Sequence, residues 1–272
     1  MCSSDLLNIV RGYPAQAEAA YRKAAELFKI VEDDFQTAII VRGLLFALAM
    51  QGRRKEAVRV ALDAFPTLRE YGSISGYNLL MNNVALVYLG MGRGHRARTI
   101  LLCLLGRMSE NDEDYNLVLY NYALVHMEKG NYSQSIRWLF DAISLCGQQG
   151  KEYEKARSLI LLGEIQLMLG ELDHAEAHLE ASKDIMQKYE CMMDVAQINV
   201  YLARLSLARN KPEESLPYLQ EAIDFFSAQG VQPELVAALQ YWEKAHLDES
   251  EDLHEVAGMA FAKMKNFQRL SA

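Results

Sequence analysis

The stretch Gly130-Asn131-Tyr132-Ser133-Gln134-Ser135 separates two apolar-periodic segments, and near-copies of it recur along the chain. The copies begin at Gly12, Gly52, Gly92, Gly130, Gly170 and Asn210, so that successive starts lie 40, 40, 38, 40 and 40 residues apart. A chain that repeats at this period has little architectural freedom: each unit buries its apolar face only against its neighbours, and the units stack into a solenoid. The expected fold is all-α, about six antiparallel helix pairs followed by a C-terminal capping pair.

Composition agrees with helix. Of 272 residues, 51% are hydrophobic, five are proline and 16 glycine, and no low-complexity linker interrupts them. One elongated domain is expected over residues 1–272: a truncated first repeat at 1–36, repeats over 37–228, and capping helices over 229–272. Pro14 suits the first turn of a helix, where its missing N–H costs nothing. Ser3 or Ser4 suits the cap of a short helix ending near Arg11. Toward the C-terminus, two helical patterns are split by the acidic run Asp248 to Asp252, and the second carries Met259, Phe261, Met264 and Phe267.

Two columns of small residues distinguish this repeat from a generic helical hairpin. Five residues after each turn start stand Ala17, Ala57, Ala97, Ser135, Ala175 and Ser215; twelve after it stand Ala24, Ala64, Leu104, Ala142, Ser182 and Ala222. Between them, nine after the turn, stand Tyr21, Ala61, Leu101, Leu139, Leu179 and Leu219. Small side chains are required where two helices cross closely. This small, large, small order on the second helix resembles the tetratricopeptide repeat family, over roughly residues 12–228. The family's first-helix glycine is matched by Gly163, with Ala85, Ala123 and Ala203 in the equivalent places. Its usual tryptophan is replaced by residues such as Met81, Leu119 and Leu159, and the period is about 40 rather than 34. The longer period is similar to that of bacterial peptide-sensing regulators, signal-responsive transcription activators and some polarity scaffolds.

The resemblance implies a right-handed superhelix whose first helices line a concave groove. Mapped onto this chain, the lining comprises Arg42, Phe46, Asn82, Asn83, Leu86, Tyr120, Asn121, Leu124, Leu161, Glu164, Tyr201 and Arg204, joined by Arg157 and Gln197. Asn83 and Asn121 hold one position in successive repeats; as mid-helix amides they suit pairing with an extended peptide backbone, with apolar neighbours receiving its side chains. A purely structural role is the alternative. Asn78 and Asn116, matched five residues earlier, are expected to cap helices. Arg42, Arg157 and Arg204 are each suited to a carboxylate, or stand as surface charges.

Charge is uneven. The chain totals −8, yet Val41 to Arg107 holds ten basic and three acidic residues, a net of +7. Arg53, Arg54 and Lys55 in one turn and Arg93, Arg96 and Arg98 in the next are expected side by side on one edge. Such an edge suits an acidic protein, a dimer partner or a nucleic-acid backbone, although aromatic residues for base stacking are missing from it. His174 and His178 lie one turn apart, but His-Ala-Glu-Ala-His is not the zinc-protease pattern, and outward-facing surface histidines are expected. His126 is expected in the core or groove, and Cys103, flanked by leucines, is expected to be buried. Four dispersed cysteines argue for reduced thiols rather than a disulfide framework or a zinc site.

No phosphate loop, nucleophile elbow or metal motif is present in the sequence, so no enzyme, cofactor or metal is expected. The start has no signal-peptide pattern and no apolar run approaches membrane-span length; a soluble cytoplasmic chain, away from membranes, is the expectation. The leading functional expectation is a protein- or peptide-binding module in the sensing part of a regulatory protein. Competing readings are an assembly or self-association scaffold, including a homodimer, and a nucleic-acid-associated regulator.

Overall fold

The structure, a computed structural model, describes residues 14–249. Twelve α-helices and no strand occur among the described residues, as the repeat demands. They fall into two compact units, one ending at Gly150 and one beginning at Lys151. The first unit contains α1 (Pro14–Ile30), α2 (Asp34–Met50), α3 (Arg54–Glu70), α4 (Ile74–Gly90), α5 (Gly94–Arg107), α6 (Tyr115–Glu128) and α7 (Tyr132–Gln148). The second contains α8 (Glu152–Leu169), α9 (Leu172–Lys188), α10 (Met192–Ala208), α11 (Pro212–Gln229) and α12 (Gln232–Glu249). The helix expected before Arg11 and the last apolar pattern from Met259 to Phe267 lie outside the described residues.

Each recurring turn among the described residues has one residue in the left-handed region. Gly52, Gly92, Gly130 and Gly170 have φ between 69° and 78°, and Asn210 has 57°. Asparagine is the residue after glycine that tolerates this region best, which explains the substitution at the last of these turns. In every case the next N–H donates to the carbonyl five residues back: Arg53 to Leu48, Arg93 to Tyr88, Asn131 to His126, Glu171 to Gln166 and Lys211 to Ser206, at 2.9–3.0 Å. This is the Schellman end of a helix, and it satisfies carbonyls that the helix leaves open. The connections between hairpins use the same device, for example Ser73 to Leu68 and Cys191 to Met186. The 38-residue repeat departs from it: α5 and α6 are each 14 residues long, against 17 elsewhere in the first unit, and a seven-residue connection, extended at Met108 and then folded into turns, joins them.

The two helices of a hairpin differ because they are covered differently. A second helix meets its neighbours on one stripe, so α9 buries Ala175, Leu179, Ser182 and Met186, all at heptad-like spacing, and leaves the rest in water. A first helix packs against its own partner and also against the first helices beside it, α2 on α4 and α4 on α6. Its apolar residues accordingly run almost all the way round, as in Ile74–Gly90.

The small-residue columns lie where the register places them: Ala57, Ala61, Ala97, Ser135, Leu139, Ala142, Ala175, Leu179, Ser182, Ser215, Leu219 and Ala222 all have no exposed surface. Gly163 shows how tight the crossing is. A Cβ there would stand 2.8 Å from Leu179 Cγ and 3.3 Å from the Ala175 carbonyl oxygen. A Gly163→Ala substitution must push Leu179 off its rotamer, and Ala175→Leu must separate α8 from α9. Each is expected to cost about 1–3 kcal/mol, read as a lowered midpoint in urea unfolding, whereas Ala177→Leu on the exposed face of α9 should leave the midpoint unchanged.

Candidate functional site

In the first unit, α2, α4 and α6 share one face. The residues thirteen and six before each turn form two half-exposed columns there, Ile39, Leu79 and Leu117 in one and Phe46, Leu86 and Leu124 in the other. Positions seven apart in a helix lie on one side of it, so the columns run in register across the three helices. Between and beneath them lie the polar residues singled out in the sequence. Asn82, Asn83 and Asn121 are 3%, 6% and 4% exposed, and Asn121 Nδ2 donates to Asn82 Oδ1 at 2.9 Å. The pair thus ties α6 to α4, and the amide that Asn121 presents is directed at a neighbouring helix. Asn83 stands in the register position of Asn121 one repeat earlier, and Arg42 in that of Asn82.

Arg42 is half-buried, and its Nε has no hydrogen-bond partner. Burial pulls its guanidinium below the usual arginine range, opposed by Asp114 and Tyr21. Asp114 also accepts from Ser75 Oγ at 3.3 Å, and one turn further along α4 lies Asn78, buried, with Oδ1 unpartnered. The expectation that Asn78 and Asn116 cap their helices is corrected here. Ser73 caps α4 by accepting from Gly76 N, Asp114 occupies the cap position of α6, and the asparagines lie inside the helices, five and two residues beyond those caps. Tyr21 completes the face, packed so closely on α2 that a Cβ on Gly43 would fall inside its ring.

In the second unit the same positions are polar. Arg157 and Gln197 stand thirteen before their turns, Glu164 and Arg204 six before, all half-buried, while Leu161 is buried. Glu164 accepts from the Tyr201 hydroxyl. Burial raises its carboxyl above the ordinary 4.5, opposed by Tyr201 and then by Arg204. The Arg204 guanidinium lies 5.6 Å from the Tyr201 ring centroid and 5.4 Å from that of Tyr241. Tyr241, on α12, was not legible as a site residue because it falls beyond the last turn that sets the register.

The basic edge is divided between paired and unpaired charge. Arg53 is bound to Glu18 at 2.7 Å and to Glu56, with Arg22 bridging the same two carboxylates, so much of its field is cancelled. Arg96 lies over the Tyr88 ring at 5.5 Å, an aromatic neighbour that the local sequence did not reveal. Arg54 reaches the end of α4, its Nε being 3.6 Å from a Cβ built on Gly90. Lys55, Arg93 and Arg98 carry no salt bridge among the described residues. Arg98 and Lys129 both act on His126, which packs edge-on against Tyr122; burial first, and then these cations, pull its imidazole below 6.5.

Two further expectations are corrected. Cys103 is exposed, because the leucines flanking it point to alternate sides of α5 while the thiol faces outward. His178 is half-buried rather than a surface residue, its Nδ1 2.7 Å from Gln166 Oε1, whereas His174 is exposed. No cluster of three or more His, Cys, Asp or Glu residues able to hold a metal occurs among the described residues, and no described helix is long and apolar enough to cross a membrane.

Asn121→Ala removes the donor from a buried acceptor and is expected to destabilise by about 1–3 kcal/mol, while Asn82→Ala combined with it should cost less than the sum of the two single changes. Urea unfolding of all four proteins checks this. Glu164 binds its proton more tightly folded than unfolded, so the stability it contributes is full below pH 4.5 and is lost as pH rises through its raised folded value. Glu164→Gln should flatten that decline in unfolding curves measured at increasing pH.

The tetratricopeptide repeat family model matches residues 114–188. No curated protein matches the sequence. Among solved structures, the Rap conjugation gene regulator of plasmid pLS20, determined with the Phr* peptide, is 16% identical with a TM-score of 0.65, covering 100% of this chain and 78% of that one. The apo form of RapI is 14% identical with a TM-score of 0.62, covering 85% of each chain. BtubC (BKLC) from P. vanneervenii is 14% identical with a TM-score of 0.59, covering 85% of this chain and 93% of that one. At such identities the likeness is one of fold, a stack of helical hairpins, within which residues 114–188 match the tetratricopeptide repeat model.

Proposed function

We propose that this chain is a peptide- or protein-binding module, the sensing part of a cytoplasmic regulatory protein, and that an extended peptide lies across the face shared by α2, α4 and α6. The observation that carries this reading is the pair of apolar columns. A face open only to water gains nothing from Ile39, Leu79, Leu117, Phe46, Leu86 and Leu124 standing half-exposed in register. The likeness in fold to a regulator solved with a bound peptide supports the same reading.

Spacing suggests the ligand's form. Packed helices lie roughly 8–10 Å apart, and a polyproline-type chain advances about 9 Å in three residues. Apolar side chains at every third ligand position then meet successive helices. In the second unit, Glu164, Tyr201, Arg204, Arg157 and Gln197 offer charged and hydrogen-bonding groups at the equivalent positions, a surface suited to the polar portions of a peptide.

Selection of binders from a displayed library of unstructured peptides, followed by calorimetry, tests this. Enriched sequences should carry apolar residues three apart. Phe46→Ala with Leu124→Ala should weaken binding about tenfold or more, each change removing roughly 1 kcal/mol of apolar contact, with the helical circular-dichroism spectrum retained. Binders indifferent to Leu86→Asp and Leu124→Asp would remove this face from consideration.

A further inference from the structure

A second groove lies away from the shared face of the first helices, where the C-terminal half of α3 meets the start of α4 and the end of α5. It consists of two adjoining depressions of about 390 and 630 Å³ that have Arg69 and Tyr77 in common. Its floor is apolar. Phe65 packs on Tyr77 with ring centroids 4.8 Å apart, and Leu62 beside them is 56% exposed. Its rim is cationic. Arg107 lies over the Tyr77 ring at 5.5 Å, and Arg69 lines both depressions. Neither arginine forms a salt bridge among the described residues. One carboxylate, Glu70, stands on the same rim.

The backbone adds a third element. Pro66 sits inside α3 and has no N–H, so the Leu62 carbonyl lacks the donor that the helix would otherwise supply. Leu62 and Pro66 both line the larger depression, which places an under-used acceptor beside exposed apolar side chains.

We propose that this groove docks a short acidic segment of a partner protein that also carries apolar side chains. The apolar groups cover Leu62, Phe65 and Pro66, carboxylates pair with Arg69 and Arg107, and a backbone N–H of the segment donates to the Leu62 carbonyl. Charge complementarity selects this occupant. Two arginines held beside an aromatic ring and without acidic partners favour carboxylates in fork geometry. A nucleic-acid backbone gains little from an aliphatic floor. A second copy of the chain docked about a two-fold axis sets the same arginines against one another.

The test uses two fluorescein-labelled peptides, one alternating Glu with Leu and Phe and the other with Lys in place of Glu, titrated with the full chain and read by anisotropy. The acidic peptide should bind and the basic one should not. Arg69→Glu with Arg107→Glu should weaken the acidic peptide at least about tenfold, Arg69→Ala with Arg107→Ala should weaken it less, and Leu62→Asp should also reduce binding. Leu86→Asp, on the face of the first helices, should leave it unchanged, so this groove and the peptide site fail or stand separately. Equal binding of the two peptides, or affinity untouched by the double charge reversal, overturns the proposal. So does a sedimentation measurement in which the chain dimerises and Leu62→Asp returns it to monomer, because the occupant is then a second copy.

Discussion

The left-handed residue at the end of each first helix from α2 to α10 is the constraint from which the rest of the molecule follows. A helix that stops on such a residue returns its chain at a set angle, because the next N–H must reach the carbonyl five residues back. Repeating that bond at Gly52, Gly92, Gly130, Gly170 and Asn210 repeats the hairpin. Once the return angle is common to all hairpins, the same three positions of every second helix are pressed into a crossing. Small residues at the close points let the backbones meet there, with Leu104 on the short α5 the exception, and in most hairpins a Leu between them fills what remains. The hairpin around Gly163 is the tightest instance, with Leu179 already against the space a methyl group would need.

Close packing of first helices on one another produces the second property of the fold, a buried layer of amides. Asn82 and Asn121 lose water on folding, and their mutual hydrogen bond offsets that loss. The same register one repeat earlier holds Arg42 and Asn83, and there Arg42 Nε is left without a partner. Equivalent positions in the second unit carry Ile160 and Tyr201, and the polar character moves outward to Glu164 and Arg204. One backbone geometry thus presents an apolar face in one unit and a charged, aromatic one in the other, which is how a repeat scaffold acquires a site without altering its fold.

Much of this was legible in the residues. The turn spacing set the hairpin period, the columns from Ala57 to Ala222 gave the crossings, and counting back from each turn named Phe46, Leu86 and Leu124 but not Ile39, Leu79 and Leu117 beside them. What escaped was whatever depends on a neighbour distant in sequence. Asn121 is bonded to a side chain 39 residues away, Arg53 is neutralised by Glu18 from another helix, and Tyr241 reaches Arg204 from beyond the last counted turn. Asn78 and Asn116 were misassigned as caps because the cap residues, Ser73 and Asp114, precede them by five and two residues. Cys103 was misassigned because flanking leucines signal burial only when they share the cysteine's side of the helix, and in α5 they do not.

By itself the sequence determined the helical hairpin, its period and its inward-facing positions, because backbone conformation at a glycine and side-chain size at a crossing are local properties that a residue carries with it. Tertiary structure alone decided which polar groups are satisfied and which are left open. It brought Arg69 and Arg107 to one aromatic groove from two different helices, and it left Arg42 and Asn78 with unmatched polar atoms. Pairing and desolvation are properties of juxtaposed surfaces, and juxtaposition exists only once the hairpins have stacked.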